Sequence, residues 1–392
     1  MPTTPSFHPP TRVLMGPGPS GAHPRVLKAM TAPILGHLDP EFLRIMDDCN
    51  DMLREVMGTS NRITLATPGT GTSGMEAAVM NLVEPGDKVV VGICGYFGER
   101  IAVMAERAGG EVTRVQTAWG SPTDIAGVEA AVRAAGNVKV IGIVHAETST
   151  GAQTPVEPFA KLAKESGALL LVDCVTSLGG VPVTADAWGA DAVYSGTQKC
   201  LSAPPGMAPL TMSPRAWDAV KAREVPCNSW YLDLSLLEAY WDERRAYHHT
   251  APISMVYALH EALALVLDEG LEHRWARHER NGRALQAGLE AMGLVLHADA
   301  GYRLPVLTTV RIPDGVNDAE VRGALLNRNS IEIGGGLGDL RAKVWRIGLM
   351  GESSTPGNVL LVLNSLGKIL REQGFSADIR AAVETAAGKL DA

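Results

Sequence analysis

Lys199 stands in YSGTQKC, residues 194 to 200, after a short apolar run and among small and polar neighbours. A lysine so placed is either an ordinary solvated side chain or a buried amine whose lowered pKa lets it form a Schiff base. Other residues of complementary chemistry lie upstream: Asp173 in LLLVDCVTSLGG, Thr148 in HAETSTG, and Thr70, Gly71 and Thr72 in GTGTSG, Gly69 to Gly74. The last motif satisfies G-x-G-x-x-G between a strand-like and a helix-like run, the pattern that cradles a dinucleotide pyrophosphate. A dinucleotide site also needs an acid at the end of the second strand, and KVVVGICGYFG ends in Cys94, Gly95 and Tyr96 instead. Two readings remain open: a glycine turn without a ligand, or a helix N-terminus whose N–H groups and Thr70 and Thr72 hydroxyls hold one anionic group, such as a single phosphate.

These residues need elements to carry them. Short apolar runs alternate with helical patterns: RITLAT, TSGMEAAVMNLV, KVVVGI, GERIAVMAERAG, VKVIGIVHA, VEPFAKLAKESG, ALLLVDCV and ADAVYSGT. That order demands βαβ units, and strands so uniformly apolar are covered on both faces, which means a mostly parallel sheet. Asp173 and Thr148 then sit at carboxyl ends of strands, where ligands bind in open parallel sheets, and Lys199 follows the next strand. A phosphate cup, a carboxylate, a hydroxyl and an amine converge on one edge.

At 392 residues the chain exceeds one compact core. The texture changes after about residue 265, where a long helical stretch leads into a smaller βαβ-like region. We expect an N-terminal arm (1–15), a large domain (16–268) and a small C-terminal domain (269–392), the end being an Ala-rich helix or tail. The composition, 46% apolar and 20% charged, is that of a well-buried globular enzyme. A modest net charge of −8 without a basic stripe argues against nucleic acid as a partner. No apolar run approaches the roughly 18 residues that span a bilayer, and the N-terminus lacks the apolar region of a signal peptide. Cys49, Cys94, Cys174, Cys200 and Cys227 show neither C-x-x-C nor metal spacing, which suits a reducing cytoplasm. His248 and His249 are adjacent, so their side chains diverge, and no third ligand clusters nearby; no metal is expected.

The convergent set has a chemical meaning. Pyridoxal phosphate needs an anion site for its phosphate, an acid to keep its pyridine nitrogen protonated, a donor to its phenolic oxygen and a lysine for its aldehyde. Asp173, Thr148 and Lys199 match the last three needs, and the lysine can also shuttle a proton to and from the substrate.

The motifs GPGPSG, EPGDKVVVG, ETSTGAQTP, LLLVDCVTSLGG, YSGTQKCLSAPPG, YHHTAP, EGLEHRWARH and VWRIGLMG together resemble the alanine–glyoxylate and serine–glyoxylate aminotransferases. These are class V members of the fold-type I pyridoxal phosphate enzymes, and the likeness runs from about residue 12 to 371. It implies an α/β fold with a large, mostly parallel-sheet domain and a smaller C-terminal α/β domain. It implies that Lys199 links the cofactor, that Asp173 pairs with the pyridine nitrogen and that Thr148 contacts the phenolic oxygen. Phe97 would stack on the ring, Thr70, Gly71, Thr72 and Gln198 would hold the phosphate, and Arg346 in VWRIG would clamp the substrate carboxylate. Tyr247 and Thr250 would reach the phosphate of the neighbouring subunit, so a homodimer with shared active sites follows.

Phe97 and Thr148 replace the tryptophan and serine common in the alanine branch, and Thr72 replaces a histidine seen there, whereas SLGG, YHHT and APPG look alanine-like. The expected reaction moves an amino group from alanine or serine to glyoxylate, giving glycine and a 2-oxo acid. Serine–pyruvate or another class V transamination is the alternative. A class V lyase of the cysteine desulfurase kind should carry a nucleophilic cysteine in the C-terminal domain, and no cysteine lies beyond Cys227. A nicotinamide dehydrogenase lacks its ribose acid.

Overall fold

The computed structural model describes residues 8–391, so the first seven residues of the expected arm lie outside the description. Seven strands form the main sheet: β1 (Ile63–Gly69), β2 (Lys88–Ile93), β3 (Glu111–Gln116), β4 (Val140–Val144), β5 (Leu169–Asp173), β6 (Ala192–Tyr194) and β7 (Gly206–Met212). Their order is β1-β7-β6-β5-β4-β2-β3. β7 alone runs against its neighbours; the other pairings are parallel. Every residue of β4 and β5 is buried, as expected for strands covered on both faces.

β3 and β7 carry no strong sequence signal. β3 reads EVTRVQ and alternates in exposure at the sheet edge, where Arg114 pairs with Glu99 at 2.8 Å and Glu106 at 2.6 Å. Charged side chains there protect an open edge from pairing with other chains. β7, GMAPLTM, has a proline and small residues in place of a β-branched run.

The parallel arrangement puts Gly69, Ile93, Val144, Asp173 and Tyr194 at one edge. Helices Gly71–Leu82 and Tyr96–Arg107 begin there. The second has Gly95 at its N-cap, with no side chain to satisfy the first N–H groups. Fully buried Glu147 supplies the missing acceptor: its carboxylate accepts from the Phe97 N–H (3.1 Å) and the Gly98 N–H (3.4 Å). The approach is close enough that a Cβ on Gly95 would lie 2.4 Å from Glu147 Cγ.

The helical stretch after residue 252 breaks at Gly270 into Ile253–Glu269 and Leu271–Ala291. A large apolar core spans residues from Phe42 to Val266, and a second collects Met15 with residues from Ala284 to Ala386. The second core backs a three-stranded antiparallel sheet, β8 (Leu307–Arg311), β9 (Gly334–Gly335) and β10 (Val344–Gly348), in the order β8-β10-β9. Two details go beyond the sequence expectation. Val13–Leu14 of the arm pairs in parallel with Ile331–Glu332, and the Ala-rich terminus is a helix, Ile379–Leu390, that buries Ala382 and Ala386. No helix among the described residues is long and apolar enough to cross a membrane.

Two glycines give opposite outcomes. Gly95→Ala must displace Glu147 and should cost about 1–3 kcal/mol, as overpacking does. Gly323, inside helix Asp318–Asn329 with open space where its Cβ would be, should gain roughly 0.5–1 kcal/mol on becoming alanine. Urea unfolding midpoints of the two variants check both signs.

Candidate active site

The site is built from strand ends inward. Asp173 ends β5 and is 3% exposed. The Val175 N–H donates to its Oδ1 at 2.8 Å, and the Tyr194 hydroxyl donates to its Oδ2 at 2.8 Å. Burial pushes the Asp173 carboxyl up to about 6; these two bonds pull it back down, and nearby Glu147 pushes it up. Lys199, 9% exposed, lies beyond the end of β6. Burial lowers its amine from 10.5 to about 8, and the positive charge of Arg346 adds to that. Its Nζ donates to the Pro17 carbonyl.

The GPGPS segment, residues 16–20, acquires a physical role here. Gly18, at φ 105°, passes so near Lys199 that a Cβ would lie 2.6 Å from the lysine Cδ. The Ser20 hydroxyl donates to the Lys199 carbonyl at 2.6 Å, and its N–H to the Gln198 carbonyl at 2.8 Å. On its other side the segment joins the C-terminal sheet, where the Gly348 N–H donates to the Met15 carbonyl at 2.8 Å. The strand that bears Arg346 is thereby carried to Lys199.

Arg346 is 7% exposed on β10. Its Nε donates to the Gly335 carbonyl at 2.7 Å and its Nη1 to the Thr148 carbonyl at 3.2 Å. Among the described residues no carboxylate lies within ion-pair distance of it, so carbonyl dipoles hold a buried cation that can accept an anion. Burial lowers its guanidinium to about 10, with Glu147 opposing; the charge persists at neutral pH.

A cavity of about 210 Å³ is lined by Gly71, Thr72, Phe97, Thr148, Asp173, Gln198 and Lys199 among others. Thr70 caps helix Gly71–Leu82 without a side-chain hydrogen bond, which leaves its hydroxyl available to a ligand. The Gln198 carboxamide oxygen is buried without a partner. Thr148 shares a hydrogen bond of 3.2 Å with Thr176. Tyr247 and Thr250 are not brought to this cavity within the chain: Tyr247 is 62% exposed and Thr250 also faces outward. A larger cleft of about 620 Å³ lies elsewhere, and its charges are spent within it, Arg245 pairing with Asp47 and Arg244 with Glu238.

Residues 22–341 match the family model for class V aminotransferases. The chain belongs to the class V aminotransferases. It is 40% identical to the (S)-ureidoglycine–glyoxylate transaminase of Bacillus subtilis over 96% of this chain and 95% of that one. It is likewise 40% identical to the alanine–glyoxylate aminotransferase of Callithrix jacchus, over 92% and 88%. The crystal structure of the alanine–glyoxylate aminotransferase from Nostoc sp. superposes with a TM-score of 0.92 at 49% identity, covering 94% of this chain and 98% of the other.

The aminotransferase therefore uses pyridoxal phosphate, and its cavity fits that group: a buried amine of lowered basicity, a buried carboxylate with unused lone pairs, the Gln198 carboxamide and the N-terminus of helix Gly71–Leu82 line it, whereas the exposed Thr70 is not among the lining residues. The sequence reading missed four residues around this cavity: Tyr194, Glu147, Thr176 and Arg100. Arg100 lines the cavity too, donating to Thr72 Oγ1 at 3.1 Å with its guanidinium carbon 5.1 Å from the Phe97 ring centre. Tyr194 and Glu147 lie inside motifs that drew notice, but their partners are distant in sequence. Arg100 reads there as an ordinary amphipathic-helix arginine.

Lys199 also predicts a pH signature of the cofactor-free protein. Its folded pKa lies below its unfolded one, so between about 8 and 10.5 the unfolded chain binds more protons and stability rises with pH. Lys199→Met should thus be more stable than the parent near pH 7, and the gain should shrink as pH climbs through that window. Urea melts from pH 7 to 10.5 measure it; a pH-independent difference would contradict the buried amine.

Proposed function

We propose that the enzyme moves an amino group from a small L-amino acid, alanine or serine, to glyoxylate, yielding glycine and a 2-oxo acid. The observation that carries this reading is Arg346, a buried guanidinium with no carboxylate partner among the described residues, within electrostatic reach of the Lys199 amine. One such cation suits the single carboxylate of glyoxylate, alanine or serine. Arg100, the arginine among the cavity's lining residues, is engaged with Thr72 and the Phe97 face. Glyoxylate is common to the activities for which the Bacillus, Callithrix and Nostoc relatives are named. (S)-Ureidoglycine is the second donor to consider, since the Bacillus enzyme named for it superposes with a TM-score of 0.96.

Bound pyridoxal phosphate supplies the electron sink for the charge left when the substrate Cα–H bond breaks. Lys199 would hold the cofactor through its amine, and the same amine would take up the proton that leaves the substrate Cα. Asp173, as a carboxylate, would accept from the ring nitrogen's N–H and keep that proton on the ring. Phe97 would cover a ring face, and Thr148 would donate to the phenolic oxygen. Thr70, Gly71, Thr72 and Gln198 bind the phosphate, joined by Tyr247 and Thr250 of the second subunit of a homodimer; outward-facing positions for both side chains agree with service across an interface. Arg346 forks the substrate carboxylate, with two N–H groups matching two oxygens.

Three outcomes are expected. A panel of donors assayed with glyoxylate and with 2-oxoglutarate should favour alanine, serine or (S)-ureidoglycine with glyoxylate; glutamate outperforming all three would sink the small-donor reading. Arg346→Lys loses the bidentate fork and should lower kcat/KM for every donor alike, by about tenfold or more for a lost charge-assisted bond. Mixed subunits test the shared site. A Tyr247→Phe/Thr250→Ala chain exchanged with an inactive Lys199→Ala chain should regain activity, because one site of the heterodimer then has its lysine and its phosphate donors. Verified exchange without recovery would count against a phosphate site built across the interface.

A further inference from the structure

Tyr194 has no place in the sequence reading, yet it is 0% exposed and its hydroxyl donates to Asp173 Oδ2 at 2.8 Å. Its position follows from register: Tyr194 on β6 lies directly opposite Asp173 on β5. The Asp173 carboxylate is held at both oxygens, by the Val175 N–H and the Tyr194 hydroxyl. An ionised carboxylate accepts about four hydrogen bonds, so lone pairs remain for the cavity that Asp173 lines.

We propose that Tyr194 is a positioning residue for the transamination, acting through Asp173: its phenol proton orients the carboxylate and keeps it ionised for the cofactor's ring nitrogen. The inference rests on the assignment of Asp173 as the ring's acid. A carboxylate buried this deeply tends to hold its proton, and a neutral Asp173 has no charge with which to keep a proton on the ring. The Val175 N–H is a fixed backbone donor, whereas the Tyr194 phenol is the side-chain donor that sequence can vary. Other groups face Asp173 from every side. Glu147 and His145 come from the end of β4, Cys174 from the adjacent loop, and Lys199 from beyond β6. Arg100 borders the same cavity. Burial keeps His145 neutral, down to about 4, and Cys174 protonated. Glu147 works against ionisation of Asp173 and Lys199 in favour of it. None of these contacts is removed when Tyr194 becomes phenylalanine, so that substitution isolates one hydrogen bond.

The experiment compares holoenzymes with the parent sequence, Tyr194→Phe, and 3-fluorotyrosine installed at position 194 as a stronger donor of the same shape. For each, kcat, donor KM, the cofactor dissociation constant and the pH dependence of the bound cofactor's visible absorption are measured. Removing one hydrogen bond to a charged group should move the acidic limb of the kcat profile and the spectral titration upward by about one pH unit. It should lower kcat about tenfold below the limb, with donor KM little changed, and weaken cofactor binding. Fluorotyrosine should move both titrations the other way. In an Asp173→Asn background, Tyr194→Phe should leave the spectral titration where that single variant has it. Titrations of Tyr194→Phe and of the fluorotyrosine protein that coincide with the parent's would overturn the proposal, as would an unchanged shift in the Asp173→Asn background. Should Tyr194→Phe not fold, the fluorotyrosine comparison alone decides. A parent protein that binds no pyridoxal phosphate, or whose cofactor is indifferent to Asp173→Asn, would fail the underlying assignment instead.

Discussion

A lysine attacks a carbonyl through its neutral amine, and at neutral pH in water that form is scarce. Taking Lys199 out of water is the constraint that organises the rest of the site. Burial moves its amine down to about 8, and each neighbour then has to avoid restoring a full ion pair. The Pro17 carbonyl gives it a neutral acceptor. The positive charge of Arg346 discourages protonation, and Asp173 contributes only a weak opposing pull. A carboxylate bonded directly to Nζ would have raised the amine and disabled it.

The fold meets this requirement by drawing on both cores. Lys199 and Asp173 lie at the ends of the parallel sheet's strands, where two helix N-termini also border the cavity. Arg346 belongs to the C-terminal sheet, and its strand is joined through the Met15 carbonyl to the GPGPS segment that lies against Lys199. A short N-terminal segment thus fixes how far the Arg346 guanidinium sits from the Lys199 amine. Arg274 reinforces the same junction: it is 2% exposed and donates to the carbonyls of Gly179 (2.9 Å) and Cys200 (2.7 Å), while pairing with Glu269 at 2.6 Å.

Much of this arrangement was readable in the sequence. Runs such as KVVVGI and ALLLVDCV announce buried strands by composition alone, and their position just before Asp173 and Gly95 places those residues at strand ends. What the sequence hides is whatever depends on pairing between distant residues. β3 escapes because its alternating charges look like a solvated loop, and β7 because its proline and small residues lack strand character. Tyr194 and Glu147 were quoted within motifs, but a phenol opposite an aspartate, or a glutamate capping a helix some 50 positions earlier, is decided by strand order and register. The proposed reach of Tyr247 and Thr250 into a second subunit concerns an interface that a single chain does not contain.

The central claim is that Lys199, and no other lysine, carries pyridoxal phosphate. Borohydride reduction of the freshly purified holoenzyme, followed by protease digestion and peptide mass mapping, tests it most directly. The account predicts a pyridoxyl phosphate adduct on the peptide containing Lys199 and its absence from the Lys199→Ala protein. An adduct on a different lysine in the native enzyme, or full cofactor occupancy with no reducible linkage at Lys199, would contradict it.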